Sequence, residues 1–309
     1  MKKALIASWS VAAAALFAGE SVIPDVTDNL WARPAGTKIV GKGVEINPIE
    51  GRNDNGISFL LPVEANAVYD MTFTVSLKNA PGKQDRLRWQ INNVNYCADE
   101  IALPGKPAKA RAFVFNNDIA GKKWLGLKYQ YEPGTENAMT VSDFKLEKVD
   151  PVALKTIVLN EPAAWTTAGW SKFATRSFEP VTDFIEEGDA ITISVGDDVK
   201  PSDQACILST FFPFAADSEY EVSAWLKTDA PGTVSLGVNS WIGNNFKHYY
   251  KGMSFQVTPE WKQYTATIKT PSVKDFPVFE LGRTRGSVTL MCGSGAKKVY
   301  IRNWTITKK

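Results

Sequence analysis

The sequence repeats one pattern of strands and turns, and this repeat limits the fold more than any other feature does. Residues 66–82 parallel residues 217–232, and both segments end in an Ala-Pro-Gly turn. Two further pairs of segments parallel each other, namely 56–62 with 206–213 and 140–148 with 300–308. A repeat spacing of about 150 residues predicts two tandem domains and not a solenoid.

Within each copy, apolar and polar residues alternate as they do in strands that bury one face. Tyr220, Val222 and Leu226 keep this period of two, and clusters of Gly, Pro, Asn and Asp separate one such run from the next. The helical pattern amounts to a turn or so near residues 152–156. We therefore expect an all-β fold of two tandem β-sandwich (jelly-roll) domains.

The first residues predict export of the chain. Lys2 and Lys3 precede a mostly apolar run over residues 4–18, and small residues follow it, so residues 1–21 have the pattern of a secretory signal peptide. This run is shorter than the roughly 20 residues that span a bilayer, and no second run is as long. We expect a mature protein that is not inserted in the membrane and is secreted, periplasmic or at the cell surface.

The boundary between the two copies is predicted at residues 148–151, because Pro151 cannot extend a strand ladder after the closing strand of the first copy. This gives an N-terminal domain over residues 22–149 and a C-terminal domain over residues 150–309. Without Lys2 and Lys3 the chain has 35 − 2 = 33 basic residues against 33 acidic ones. That balance argues against a nucleic-acid partner.

Cysteine usage does not indicate a disulfide scaffold, because the chain has 3 cysteines. In an exported protein Cys206 could pair with Cys292 and leave Cys97 alone, and the sequence leaves that pairing open.

One aromatic side chain stands on the polar face of a predicted strand. Because Tyr220, Val222 and Leu226 point into the core, Trp225 shares the opposite face with Glu221. The next predicted strands place further candidates in the same phase, namely Trp241, Asn239, Tyr250 and Gln256; Tyr249 takes the place of Tyr250 if its strand bulges. Flat aromatics beside polar side chains fit the apolar faces and the hydroxyl rim of a sugar. These residues are the predicted ligand-binding set.

The C-terminal half resembles the carbohydrate-binding modules of families 4, 9 and 22, which have a galactose-binding-like jelly roll. The resemblance lies in the segments Tyr220–Lys227, Val257–Ile268 and Val299–Ile306. It implies non-catalytic binding of an oligosaccharide or polysaccharide on an aromatic-bearing sheet, with a separate glycan-degrading enzyme or a surface protein as a further partner.

The same resemblance implies a structural calcium ion, which many of these modules hold between the first and last strands. In this chain the first strand offers Asn160 and Glu161, and Asn303 stands where an acidic residue is expected. With one carboxylate fewer, no cofactor is predicted and calcium stays open.

The N-terminal copy lacks the candidate aromatic. When Tyr69 is aligned with Tyr220, the position of Trp225 is taken by Thr74. Trp89 alternates with apolar neighbours and is interpreted as a core residue. We therefore expect a divergent domain that supports the C-terminal one or binds a different ligand.

Two other classes of function stay open. A structural or assembly protein of the cell surface would use Trp225 and Trp241 as a protein interface. A jelly-roll polysaccharide lyase is the other, because residues 249–256 loosely resemble the tyrosine–lysine–glutamine signature of family 7 alginate lyases. Phe255 stands where that signature has a tyrosine, and His248 is the only histidine in the chain. The prediction is therefore a non-enzyme with no catalytic residues.

Overall fold

The computed structural model describes residues 30–32, 35–64, 67–82, 85–91, 94–95, 101–102, 106–116, 121–150, 153–168, 170–171, 173–242, 247–272 and 283–309. The predicted signal peptide and Cys97 lie outside these residues. Within the described ranges the regular structure is almost all strand, and the helical elements are two short 3₁₀ turns, Pro162–Ala164 and Cys292–Ser294. The predicted all-β class is confirmed.

The N-terminal half contains β1 to β11, in order Leu30–Ala32, Thr37–Val40, Gly43–Ile46, Asp54–Val63, Ala67–Leu77, Arg86–Ile91, Val94–Asn95, Ile101–Ala102, Ala108–Asn116, Gly121–Gln130 and Met139–Val149. The C-terminal half contains β12 to β22, in order Thr156–Val158, Trp165–Thr167, Ala174–Val181, Gly188–Val195, Gln204–Phe212, Glu219–Thr228, Gly232–Ile242, Lys247–Val257, Lys262–Lys269, Arg283–Met291 and Lys298–Lys308.

These strands form four antiparallel sheets, two in each half, and both halves use one strand order. Sheet A runs β1-β4-β10-β6-β7 and its counterpart, sheet D, runs β13-β16-β21-β18-β19. Sheet B runs β2-β3-β11-β5-β9 and its counterpart, sheet C, runs β14-β15-β22-β17-β20. Short β8 adds to β6 and short β12 adds to β22. The repeat seen in the sequence is therefore a repeat of topology.

Each half buries one face of both of its sheets in a shared core, as in a β-sandwich. In the N-terminal half, Phe73 and Val141 of sheet B pack in one cluster with Leu127 of sheet A. In the C-terminal half, one core joins residues of sheets C and D, among them Val222, Leu226, Ile301, Val234, Leu236 and Val288. Trp165 and Trp304 meet edge to face there at 5.5 Å between ring centroids.

The closing strand of each half carries a bulge at the same place. The register shifts after Ser142 in β11 and beside Asn303 in β22. At these two bulges, Asp143 has a φ of 52° and Asn303 a φ of 51°, the left-handed region in which Asn and Asp are favoured among non-glycine residues. The bulge turns the next side chain into the core, where Trp304 is fully buried.

Arg111 of β9 joins the two halves. Its guanidinium donates to the Asp70 carboxylate at 3.0 and 2.6 Å and to the backbone carbonyl of Val158 at 3.0 Å. Its own carbonyl accepts a hydrogen bond from the Thr210 hydroxyl at 2.8 Å. Burial raises the pKa of the nearby Glu161 carboxyl, although the positive charge of Arg111 opposes that change.

Cys206 and Cys292, whose pairing the sequence left open, are separate buried thiols. Cys206 lies on β16 opposite Thr289, whereas Cys292 lies in the turn that follows β21. The structure therefore contains no bridge between these two cysteines.

Candidate functional site

Trp225 points away from the core of the C-terminal half, as its sequence phase predicts, but it does not stand alone. Residues 182–187, here called the strap, connect β14 to β15 and cross the outer face of sheet C. Phe184 of the strap is buried and meets the Trp225 ring edge to face at 5.4 Å and the Trp261 ring at 4.9 Å. Trp225 is thus the floor of a small aromatic cluster.

Polar contacts hold the strap on this cluster. The Trp261 indole Nε1 donates to the Asp183 carboxylate at 3.0 Å, and the Lys227 ammonium bonds the same carboxylate. The hydrogen bond from Lys227, followed by the one from Trp261, lowers the pKa of Asp183. The outer face of sheet C at Trp225 is therefore covered by the protein's own residues.

A second set of predicted residues lies on the outer face of sheet D. Asn239 of β18 stands directly opposite Tyr250 of the edge strand β19 and directly opposite Arg285 of β21. Asn239 and Arg285 are 2% and 3% exposed, whereas Tyr250 is 41% exposed. The row therefore passes from buried polar side chains to an accessible aromatic ring within three neighbouring strands.

The Tyr250 ring lies along the sheet surface because its neighbour in the same phase is a glycine. A Cβ atom at Gly252 would lie 2.9 Å from the Tyr250 hydroxyl and 3.3 Å from Cζ, so a larger residue would displace the ring. Tyr249 faces the other way, where burial raises its pKa to about 12 and its hydroxyl donates to the Lys269 carbonyl at 2.6 Å. The strand does not bulge here, so Tyr250 and not Tyr249 occupies the predicted phase.

Small hydroxyl side chains continue the outer face of sheet D beyond Tyr250. Ser235 and Ser254 share a hydrogen bond of 2.9 Å, and the Gln256 amide donates to the Thr233 hydroxyl at 2.9 Å. The hydroxyl of Ser287 is buried and has no hydrogen-bond partner.

The six predicted ligand-binding residues therefore do not share one sheet. Trp225 and Glu221 lie on sheet C, where the Glu221 carboxylate is 3.3 Å from the Lys309 ammonium. Asn239, Tyr250 and Gln256 lie on sheet D. The backbone of Trp241 continues the sheet D row, but its side chain lies outside the described residues. The prediction that all six residues share one binding face is therefore wrong. The strand order places β17 in sheet C and β18 in sheet D.

Arg285 also lies on this face, although the sequence pattern around it is typical of a solvated turn that would matter only for an acidic glycan. The segment 282–286 reads as a solvated turn because it begins and ends with glycine. In the structure β21 begins at Arg283, and the Arg285 guanidinium lies 5.3 Å from the Phe211 ring centroid. The alternation of Arg285, Ser287 and Thr289 with Val288 was the signal that could have revealed a strand.

Two of the residues that the resemblance offers for a calcium site, Asn160 and Asn303, lie close together. The Asn160 amide is 3.5 Å from the Asn303 side-chain oxygen, and both side chains are exposed. The described residues contain no group of three or more His, Cys, Asp or Glu side chains placed to hold a metal ion. Nor do they include a helix long and apolar enough to cross a bilayer.

Comparison with protein-family models gives no match, and neither does comparison with curated proteins. Among solved structures, the N-terminal CBM22-1–CBM22-2 tandem domain from Paenibacillus barcinonensis Xyn10C is similar over 96% of this chain and 99% of its own, at 16% identity and a TM-score of 0.38. A family 4 carbohydrate-binding module is similar over 47% of this chain and 86% of its own, at 14% identity and a TM-score of 0.33.

A third similar structure contains the CBM22-1 and GH10 modules of the Clostridium thermocellum endo-1,4-beta-D-xylanase 10B, complexed with xylohexaose. It is similar over 47% of this chain and 26% of its own length, at 16% identity and a TM-score of 0.35. The carbohydrate-binding modules in these three structures belong to families 4 and 22.

Proposed function

We propose that this protein is a non-catalytic carbohydrate-binding protein that holds an oligosaccharide on the outer face of sheet D. The observation that carries the proposal is the Tyr250 ring, which lies along the sheet over Gly252 and is directly opposite Asn239. A ring in this orientation offers one flat face to the apolar side of a sugar, and the exposed Gln256 offers polar groups to its hydroxyls.

The size of the ligand follows from the strength of one stacking contact. Covering one face of a phenol ring removes on the order of 80 Å² of apolar area, which contributes about 2 kcal/mol. This gain is smaller than the cost of association, so several hydroxyl hydrogen bonds must add to it. We therefore propose an oligosaccharide segment of a polysaccharide, and not a monosaccharide, as the ligand.

The structure weakens the support for the two other functions. The assembly function relied on Trp225 as an exposed anchor, but that ring packs on Phe184 of the same half. The lyase function needs a tyrosine hydroxyl at the position of Phe255, whose ring packs against the core and against Tyr264 at 5.2 Å. We also propose export through the predicted signal peptide, which N-terminal sequencing of the mature protein tests.

The test compares Tyr250→Ala with the matched control Met253→Ala. Met253 is on the same strand, points to the opposite face and is 47% exposed. We expect Tyr250→Ala to weaken binding to neutral polysaccharides about thirtyfold, the equivalent of about 2 kcal/mol, and Met253→Ala to leave it unchanged. Affinity electrophoresis against β-glucan, mannan and xylan, followed by calorimetry with the best ligand, measures both.

Thermal unfolding of each variant controls for damage to the fold. The proposal fails if the wild-type chain binds none of a broad panel of neutral polysaccharides. It also fails if Tyr250→Ala binds as tightly as the wild type.

A further inference from the structure

The accessible outward positions of sheet D follow its edge strand. On β19 these positions are Tyr250, Gly252, Ser254 and Gln256, here called the edge strip, and all four residues are exposed. In the middle of the neighbouring strands the outward side chains are buried, namely Ser235 and Asn239 of β18, Arg285, Ser287 and Thr289 of β21, and Cys206 and Leu208 of β16. A ligand can therefore touch the edge strip over its length, but it finds little surface on the strands beside it.

The Tyr250 ring points along the edge strip and not across the sheet. Its hydroxyl lies over Gly252, the next outward position of the same strand. The long axis of the side chain therefore follows β19, and the exposed face of the ring continues the surface of that strand. A sugar stacked on the ring is followed, toward the C-terminal end of β19, by the positions of Ser254 and Gln256.

Both of these polar side chains are held in place and still have capacity for a ligand. The Ser254 hydroxyl shares its hydrogen bond of 2.9 Å with the buried Ser235, and the Gln256 amide nitrogen donates to Thr233 at 2.9 Å. A hydroxyl has one donor and two acceptor sites, and a primary amide keeps its carbonyl oxygen and a second N–H after one donation. Groups that the protein already orients lose less freedom when a ligand binds.

Charge and length limit the ligand further. The residues of the edge strip are uncharged, so a charged sugar would find no counter-ion among them. Gln256 lies about 20 Å from Tyr250 along the strand. A disaccharide stacked on Tyr250 ends before Gln256, whereas a hexasaccharide reaches it.

We propose that an uncharged, extended oligosaccharide lies along β19, parallel to the strand, with one sugar ring on Tyr250 and hydroxyls of later sugars on Ser254 and Gln256. This inference rests on the function proposed for Tyr250 and adds the direction, the length and the charge class of the ligand. An extended chain follows a straight strand, whereas a chain that coils leaves the strand after its first contact.

The test measures how affinity depends on ligand length in the full chain and in Gln256→Ala. The extended probes are the disaccharides and hexasaccharides of β-1,4-linked glucose, mannose and xylose, and maltohexaose is the coiled reference. We expect the wild type to bind the best extended hexasaccharide about tenfold more tightly than its disaccharide. Gln256→Ala should bind that hexasaccharide about fivefold more weakly, because it loses hydrogen bonds to the ligand. Titration followed by NMR covers the weak affinities of the disaccharides.

The matched control is Gln263→Ala. Gln263 is also an exposed glutamine whose amide donates to a serine hydroxyl, that of Ser223 at 3.3 Å, but it lies on sheet C. We expect this control to bind the hexasaccharide like the wild type. Thermal unfolding of each variant shows whether a loss of binding reflects damage to the fold.

The outcomes separate this inference from the function on which it rests. If Gln256→Ala and Ser254→Ala bind the hexasaccharide like the wild type while Tyr250→Ala does not, the direction is wrong and the proposed function stands. Loss of the length dependence in Trp241→Ala but not in Gln256→Ala would also overturn the direction. Maltohexaose binding more tightly than every extended hexasaccharide would overturn the ligand class. Wild-type binding by Tyr250→Ala would contradict the proposed function itself.

Discussion

Trp225 lies on the outer face of its strand, as the sequence predicts, but it packs against other side chains there. Its ring points out of the sandwich, as period two requires, and there it supports Phe184 and the strap. An edge-to-face aromatic pair contributes about 0.5–1.5 kcal/mol beyond the area it buries. The role of Trp225 that these contacts support is to hold a surface loop, and Tyr250 is the ring that we propose for the ligand.

Replacing Trp225 should therefore damage the strap before it affects ligand binding. Trp225→Ala removes the support of Phe184, and we expect it to lower the free energy of unfolding by about 1–3 kcal/mol. Limited proteolysis should cut the strap faster, while binding to neutral polysaccharides stays unchanged. Trp170→Ala, at a ring that is 53% exposed, is the control and should do neither. If Trp225→Ala lost binding while the strap resisted proteolysis as in the wild type, Trp225 would instead be a ligand-binding residue.

At the scale of the element, the bulge in the closing strand is the device that both halves retain. Asn303 and Asp143 adopt positive φ at equivalent places, and each is followed by an aromatic residue that enters the core. Register and core packing depend on this one residue per strand, since a slip by one position would turn the aromatic outward. The bulge therefore fixes how each closing strand joins its two neighbours.

A pair of substitutions at Asn303 tests this conformational requirement. An alanine Cβ is unfavourable at positive φ, whereas glycine has no such penalty. We expect Asn303→Ala to be less stable than Asn303→Gly by about 1 kcal/mol in chemical denaturation. Equal stability of the two variants would show that the strand does not hold this residue in the left-handed region.

At the scale of the whole molecule, the joint around Arg111 carries an unbalanced charge. Glu161 is largely buried, one of its carboxylate oxygens has no hydrogen-bond partner, and Asp70 adds negative charge nearby. Because folding raises the pKa of Glu161, the unfolded chain releases this proton at lower pH than the folded chain does. The destabilisation that the ionised Glu161 carboxylate causes is absent at acid pH. It is complete once the pH exceeds the raised pKa of Glu161.

Removing this charge should therefore stabilise the protein in a pH-dependent way. We expect Glu161→Gln to be more stable than the wild type at pH 7 and to lose that advantage below about pH 4, where the wild-type carboxyl is protonated in both states. Thermal unfolding across this range measures the difference. Glu132→Gln, at an exposed position, serves as the control and should show no such trend.

The sequence alone could predict the strand phases and the duplication, because both depend on local alternation and on similarity between segments. It placed Trp225 outward and put Tyr250 in the outward phase of its strand, and the structure agrees with both phases. It could not predict that Trp225 and Tyr250 lie on different sheets, because strand order is set by long-range pairing. The cover that the strap gives to Trp225 also depends on tertiary packing, as does the burial of Arg285.

The joint between the halves also determines how the protein can be handled. Val68 and Phe113 of the N-terminal half belong to the core cluster of the C-terminal half, and Ala163 belongs to the cluster of the other. Cutting the chain after residue 150 would remove apolar contacts from each fragment and expose a hydrophobic patch on both. Separately expressed halves would thus be prone to aggregate. Ligand binding should therefore be measured with the intact chain.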